Sequence, residues 1–108
     1  SPVKVGDDVV TGSVTGLLYR FNVKTGNLVW TTRPVDKKKF YGSFYTSPTI
    51  LNNTIFAGND DFNMYAFDLT YGKELWKYKC EGRIHTSAIV WKNFIFVASD
   101  DKYVYCFK

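Results

Sequence analysis

The residues able to do chemistry are few, and most of them sit among turn-forming neighbours. Two pairs of adjacent carboxylates stand out, Asp60-Asp61 and Asp100-Asp101. Clustered carboxylates with backbone carbonyls can hold a hard cation such as Ca²⁺. Val14-Thr15 occupies the matching place nearer the N-terminus, so the pairs do not extend into a ring of carboxylates. Asp also closes turns through its side chain, and the turn reading is preferred. His85 is the only histidine, and no Gly-x-Ser-x-Gly elbow exists to give it a nucleophile. It reads as a packed side chain. Cys80 and Cys106 lack metal-ligand spacing and are expected as free thiols. No glycine-rich phosphate loop or His-Glu-x-x-His is present. Asn52-Asn53-Thr54 forms a glycosylation sequon, a composition that a turn also explains. The residues by themselves therefore argue for no catalytic, metal or cofactor site.

One segment is chemically distinct. Residues 33–45 read RPVDKKKFYGSFY, with Arg33, Lys37, Lys38 and Lys39 set against Asp36 alone, and with Phe40, Tyr41, Phe44 and Tyr45 following. Lysines interleaved with aromatics suit phosphate, single-stranded nucleic acid or an acidic protein surface. The bland alternative is a solvated loop whose aromatics cover the edge of a sheet. Residues 33–39 hold three of the four net positive charges of the chain. The rest is too nearly neutral for a nucleic-acid footprint, so nucleic acid is an unlikely partner. The chain has 108 residues, of which 45% are hydrophobic and 19% aromatic. That composition excludes intrinsic disorder. No apolar run approaches the roughly 20 residues of a membrane-spanning helix.

The elements that must position these residues are set by an internal repeat. Gly12, Tyr19, Phe21, Gly26 and Trp30 recur 46 positions later as Gly58, Tyr65, Phe67, Gly72 and Trp76. A second offset, of 40, relates Thr46, Ser47, Ile55, Tyr65 and Phe67 to Thr86, Ser87, Ile95, Tyr105 and Phe107. Three units follow: 1–46, with an insertion at about 33–44; 47–86; and a shorter third, 87–108. Within the second unit, strands are expected at about Tyr45–Leu51, Thr54–Gly58, Asn63–Asp68 and Lys73–Tyr78. These runs are rich in β-branched and aromatic residues and are separated by Asn, Asp and Gly. No sustained 3.6-residue apolar period appears, so no substantial helix is expected. Both faces of the strands are apolar, as in a sheet held between two others. A four-stranded meander of about 40 residues, repeated, describes a β-propeller blade. The expected fold is all-β: a propeller fragment of about two and three-quarter four-stranded antiparallel blades, eleven strands in all. A β-sandwich is the alternative, but it would not need loops and strands to repeat residue by residue.

The repeats resemble those of the PQQ-like (quinoprotein-type) β-propeller family. Its tryptophan-docking motif runs Ala-x-Asp-x-x-Thr-Gly-Lys-x-x-Trp. Residues 66–76 read AFDLTYGKELW and match at Ala66, Asp68, Gly72, Lys73 and Trp76. Residues 20–30 read RFNVKTGNLVW and match at Asn22, Thr25, Gly26 and Trp30. Arg20 departs from the small Ala, against which the family's Trp packs. The resemblance implies that Gly26 and Gly72 sit in tight turns, that Asn22 and Asp68 cap them, and that Trp30 and Trp76 fill the gaps between blades. Up-and-down topology would put the strand two–three turns on the same side as the blade-to-blade connections, including the basic insertion.

For function, the resemblance implies three possibilities. The first is a non-catalytic binding or assembly scaffold, completed by self-association or by neighbouring propeller blades. The second is a piece of a dehydrogenase that holds pyrroloquinoline quinone and Ca²⁺ with carboxylates, an Asn, a stacking Trp and a vicinal cysteine pair. No adjacent cysteines exist, and no catalytic carboxylate maps onto the chain, so no cofactor is expected. The third is a luminal or envelope domain that binds peptides along exposed strand edges. An extracytoplasmic location follows from the resemblance alone.

Overall fold

The computed structural model describes residues 2–13, 15–34, 43–44, 47–84, 88–99 and 103–107. Eleven strands form three antiparallel sheets. The first sheet holds β1 (Val3–Val5), β2 (Asp8–Gly12), β3 (Leu18–Asn22) and β4 (Leu28–Thr32). The second holds β5 (Thr49–Leu51), β6 (Thr54–Gly58), β7 (Asn63–Asp68) and β8 (Glu74–Lys79). The third holds β9 (Ile89–Trp91), β10 (Phe94–Ala98) and β11 (Val104–Phe107). Each sheet is a meander in which sequence neighbours pair, and no helix occurs among the described residues. This is the all-β propeller arc that the repeat predicts.

Three strand ends differ from the sequence reading, the last by a single residue, since β8 ends at Lys79 rather than Tyr78. β5 begins at Thr49 rather than Tyr45, and the described residues Ser47 and Pro48 precede it outside the sheet. Pro48 has no N–H to give to a ladder. β8 begins at Glu74 because the Lys73 carbonyl is used in the preceding turn, where it accepts from the Asp68 N–H at 2.8 Å. The β5–β6 hairpin turns at Asn52 and Asn53, both at positive φ (51° and 60°), as a two-residue primed turn requires.

Paired residues on neighbouring strands share a face, so each sheet presents two apolar faces. Val10, Leu18 and Trp30 of the first sheet pack against Ile55, Ala57, Tyr65, Phe67 and Leu69 of the second. The opposite face of the second sheet, with Phe56, Met64 and Ala66, packs against Ile95 and Val97 of the third. Two buried layers result, one per junction between sheets.

The same irregularity appears in both four-stranded sheets. Arg20 pairs with Trp30 but Phe21 with Leu28, so Val29 is the extra residue. Ala66 pairs with Trp76 but Phe67 with Glu74, so Leu75 is the extra residue. A bulge immediately before each tryptophan bends the outer strand and re-aims the side chain that follows.

Candidate functional site

The connection from the first to the second sheet is described at its two ends only. Lys37, Lys38, Lys39, Phe40 and Tyr41, the heart of the candidate binding loop, lie outside the described residues, as do Asp36 and Tyr45. Arg33 is exposed and Pro34 buried. At the other end the chain is clamped. Ser43 N–H donates to Asp60 Oδ1 at 2.7 Å, and Asp60 N–H donates to the Ser43 carbonyl at 3.1 Å. Phe44 N–H donates to the Ser13 carbonyl at 3.0 Å. The Phe44 ring is buried, edge-on to Tyr65 and Phe67. The end of the insertion and the strand two–three turns thus meet on one side. Phe44, however, belongs to the core rather than to a binding surface.

Glycine makes that clamp possible. A Cβ on Gly12 would lie 2.6 Å from Phe44 Cβ, and one on Gly58 would lie 2.3 Å from Ile84 Cγ2. Ile84 is fully buried and stands 40 positions after Phe44. Both junctions therefore use one device: the residue returning from the outer strand is pressed onto the glycine that ends strand two. The matching glycines were legible in the repeat. Their partners were not, because Phe and Ile share no letter.

The carboxylate turn is a hydrogen-bonded unit. Asn59 is fully buried, and its Oδ1 accepts from Asp61 N–H at 2.9 Å. Asp61 Oδ1 accepts from Asn63 N–H at 3.0 Å, and Asp61 Oδ2 accepts from the Tyr65 hydroxyl. Burial and the neighbouring Asp61 carboxylate push the Tyr65 hydroxyl well above the ordinary tyrosine range, because both penalise a phenolate there. Asp60 and Asp61 hold the turn and lock Tyr65, which supports the turn reading. Asp100 and Asp101 lie outside the described residues, as does His85.

The tryptophan turns have the following geometry. Gly26 and Gly72 have φ of 74° and 76°, where a side chain is strained. Asn22 Oδ1 accepts from the N–H groups of Lys24 and Thr25, both at 3.0 Å. Asp68 Oδ2 accepts from Tyr71 N–H at 2.7 Å. Trp30 lies across the junction, and its Nε1–H donates to the Leu69 carbonyl at 3.0 Å. A Cβ on Gly72 would be 2.6 Å from Trp30 Cδ2, so the indole rests directly on that turn.

Arg20 is accommodated by becoming part of the junction. It pairs with Asp8 at 2.8 Å, and its Nη1 donates to the same Leu69 carbonyl at 2.7 Å. Asn22 Nδ2 steadies the other Asp8 oxygen at 3.1 Å. Trp76 differs from Trp30. It is half-buried, stacked on Phe107 at 5.4 Å and tilted against Phe56 at 5.9 Å, and its Nε1 has no acceptor among the described residues.

A further surface is a terminal face of the arc. The outer face of the third sheet carries Ile89, Trp91, Phe94, Phe96, Val104 and Cys106. Ile89, Trp91 and Val104 are 69%, 57% and 70% exposed. Lys92 Nζ covers the Trp91 ring at 4.6 Å. The offset of 40 held the signal, since Phe96 and Cys106 correspond to Phe56 and Ala66, which are buried in the second sheet.

The described residues do not fit a quinone and its Ca²⁺. Cys80 is buried beyond β8, Cys106 is exposed on β11, and Trp30 is held within a junction. No group of three or more His, Cys, Asp or Glu is placed to hold a metal among the described residues.

A family profile described as outer membrane protein assembly factor BamB matches residues 1–108. No curated protein matches in sequence. Solved structures share the fold. BamB from Moraxella catarrhalis superposes with a TM-score of 0.80 at 12% identity, over 98% of this chain and 31% of that one. The computationally designed Ika4 protein gives 0.78 at 16% identity, over 98% and 62%. A europium-containing methanol dehydrogenase gives 0.72 at 21% identity, over 91% and 20%. The chain thus spans less than two thirds of the length of each.

Proposed function

This chain belongs to the PQQ-like β-propeller family whose profile bears the BamB description, and on that premise we propose that it acts as a non-catalytic binding and assembly scaffold. Its apolar outer faces are completed by a second copy or by further propeller blades. One observation carries the reading. The outer face of the third sheet exposes Ile89, Trp91 and Val104, on the side that in the second sheet is buried against a neighbour. Exposed apolar faces of this kind mark interaction surfaces. The acidic residues best placed for acid–base work, Asp60 and Asp61, are engaged in holding a turn, which favours binding over catalysis. The basic connection around Arg33 and Lys37–Lys39 is a second contact surface, suited by its charge to an acidic protein partner. An extracytoplasmic location accompanies the reading, since the matching profile is described as an outer membrane assembly factor.

The test is solution mass by light scattering over a range of concentrations. The chain should gain mass as concentration rises, and the W91E and V104K variants should stay smaller. Both positions are exposed, so stability should move by no more than about 0.5 kcal/mol. A chain that stays monomeric at every concentration would overturn self-association. If neither the apolar-face variants nor deletion of residues 35–42 then altered partner binding, the scaffold reading would fall with it.

A further inference from the structure

Three equivalent hairpins join the first two strands of the three sheets, and each turns on two residues: Gly6-Asp7, Asn52-Asn53 and Lys92-Asn93. The leading residue has φ of 59°, 51° and 55° in turn. One backbone shape is thus built with Gly, Asn or Lys at its first position, so the turn alone does not call for Asn at position 52. The second position of the middle hairpin is different, because Asn53 is tied to its surroundings. Its Nδ2 donates to Asp68 Oδ1 at 3.3 Å and to Thr70 Oγ1 at 3.2 Å. Its carbonyl accepts from Leu69 N–H at 3.0 Å.

Asn52 has no such ties. It is exposed, and its side-chain amide makes no hydrogen bond among the described residues. Thr54, which opens β6, turns its hydroxyl back and donates to the Asn52 carbonyl at 3.4 Å. A spare amide at an exposed tip, with a hydroxyl two residues on folded toward it, has the make-up of an Asn-x-Ser/Thr acceptor. The residue between is Asn53 and not the Pro that would forbid it. Asn52 alone among the asparagines of the chain has Ser or Thr two residues on. The matching hairpins, Gly6-Asp7-Asp8 and Lys92-Asn93-Phe94, carry no acceptor.

We propose that Asn52 is the attachment site of an N-linked oligosaccharide. The donor is an oligosaccharide on a polyprenyl diphosphate, brought by its transferase in the lumen of a secretory route. A bond forms between Asn52 Nδ2 and the anomeric carbon of the first sugar. The bond from that carbon to the diphosphate oxygen breaks, and the polyprenyl diphosphate leaves with the electron pair. The amide gives up one proton, and nothing is oxidised or reduced.

The hairpin also decides which side of the sheet the sugar covers. The bonds from Asn53 to Asp68 and Thr70 put Asn52 at the end of the second sheet that holds the β7–β8 turn. The Ser43–Asp60 clamp lies at the opposite end of β6, roughly 15 Å away at ~3.3 Å per residue. A glycan is bulky and solubilising. It shields the hairpin side and leaves the side of the clamped connection open to partners.

The test is to translate the full chain, behind a cleavable signal, into endoplasmic reticulum microsomes. One upward step in mass should appear and should be reversed by peptide N-glycosidase. That enzyme turns the acceptor amide into a carboxylate, which peptide mass spectrometry should place at position 52. N52G keeps the positive-φ turn, as Gly6 does in the first unit, and should abolish the step with an unchanged circular dichroism spectrum. T54V keeps a β-branched side chain at the start of β6 and should abolish it too. N53G should retain it. No step in the unaltered chain, a step that survives N52G or T54V, or a modified amide at any other position would overturn the assignment. Loss of sheet signal on removing the sugar would overturn its placement outside the packing. Self-association, or its absence, bears on the scaffold reading and not on this site.

Discussion

Gly26 and Gly72 form a matched pair that isolates the contact between sheets. Both are turn glycines at nearly the same positive φ, 74° and 76°. Substituting Ala at either imposes the left-handed backbone penalty, about 1–2 kcal/mol. Only Gly72 has a neighbour. Its added Cβ would meet Trp30 at 2.6 Å from Cδ2 and 2.7 Å from Cε3, whereas nothing lies within 4 Å of the same atom on Gly26. The indole cannot retreat without breaking its bond to the Leu69 carbonyl. Forcing a methyl into such a packed contact costs a further 1–3 kcal/mol or so. G26A should therefore destabilise by about 1–2 kcal/mol and G72A by about 2–5. The assay is urea denaturation followed by tryptophan fluorescence and by circular dichroism. In a W30A background the clash has no partner, so the G72A excess should collapse to within about 0.5 kcal/mol of G26A. Equal costs for the two glycines in the native background would refute the argument that Trp30 rests on the Gly72 turn.

Three other outcomes are expected. The contribution of Tyr65 to stability should be constant to about pH 10 and fall above it, because Tyr65 ionises at its ordinary value of about 10 when unfolded but stays neutral when folded; alkaline denaturation of Y65F should lack that component. R20A should cost about 1.5–3 kcal/mol in urea titrations, since it strips Asp8 of its charged partner and removes one donor from the Leu69 carbonyl. G58A should destabilise more than a surface substitution, by about 1–3 kcal/mol, because its Cβ would meet the backbone-proximal Ile84 Cβ at 2.8 Å and not a flexible side-chain tip. Thermal melts rank it against V23A, an exposed control in the turn that follows β3.

The repeat made the strand count and pairing order legible, because Gly, Tyr, Phe and Trp recur at fixed offsets and turn residues fall between them. Where letters stopped recurring, legibility stopped too. Phe44 read as part of a basic, aromatic loop; its equivalence to Ile84 is visible only once both are seen pressed on a glycine. Arg20 read as a departure that endangered packing around Trp30. Its guanidinium instead finds Asp8 and a carbonyl of the next sheet, and sequence does not show that Asp8 lies one strand away. The bulges at Val29 and Leu75 were equally hidden, since one extra residue leaves no mark in composition. The unlike state of the two tryptophans depends on what stands across each junction, a property of the neighbouring sheet and not of the motif.

The clamp at Ser43 and Phe44 has a consequence for how this architecture varies. β4 ends at Thr32, and the chain is caught again at Ser43 by Asp60 and at Phe44 by Ser13 and Gly12. What runs between those fixed points need not transmit its length to the sheets on either side. Doubling such a link costs only about 0.6 kcal/mol in closure entropy. The first unit exceeds the second by six residues, yet the two sheets keep the same pairing order. The junction behaves as a socket: the two clamps, and not the length of chain between them, set where β5 follows β4, so sequence grafted at 35–42 is expected to leave the pairing of both sheets unchanged.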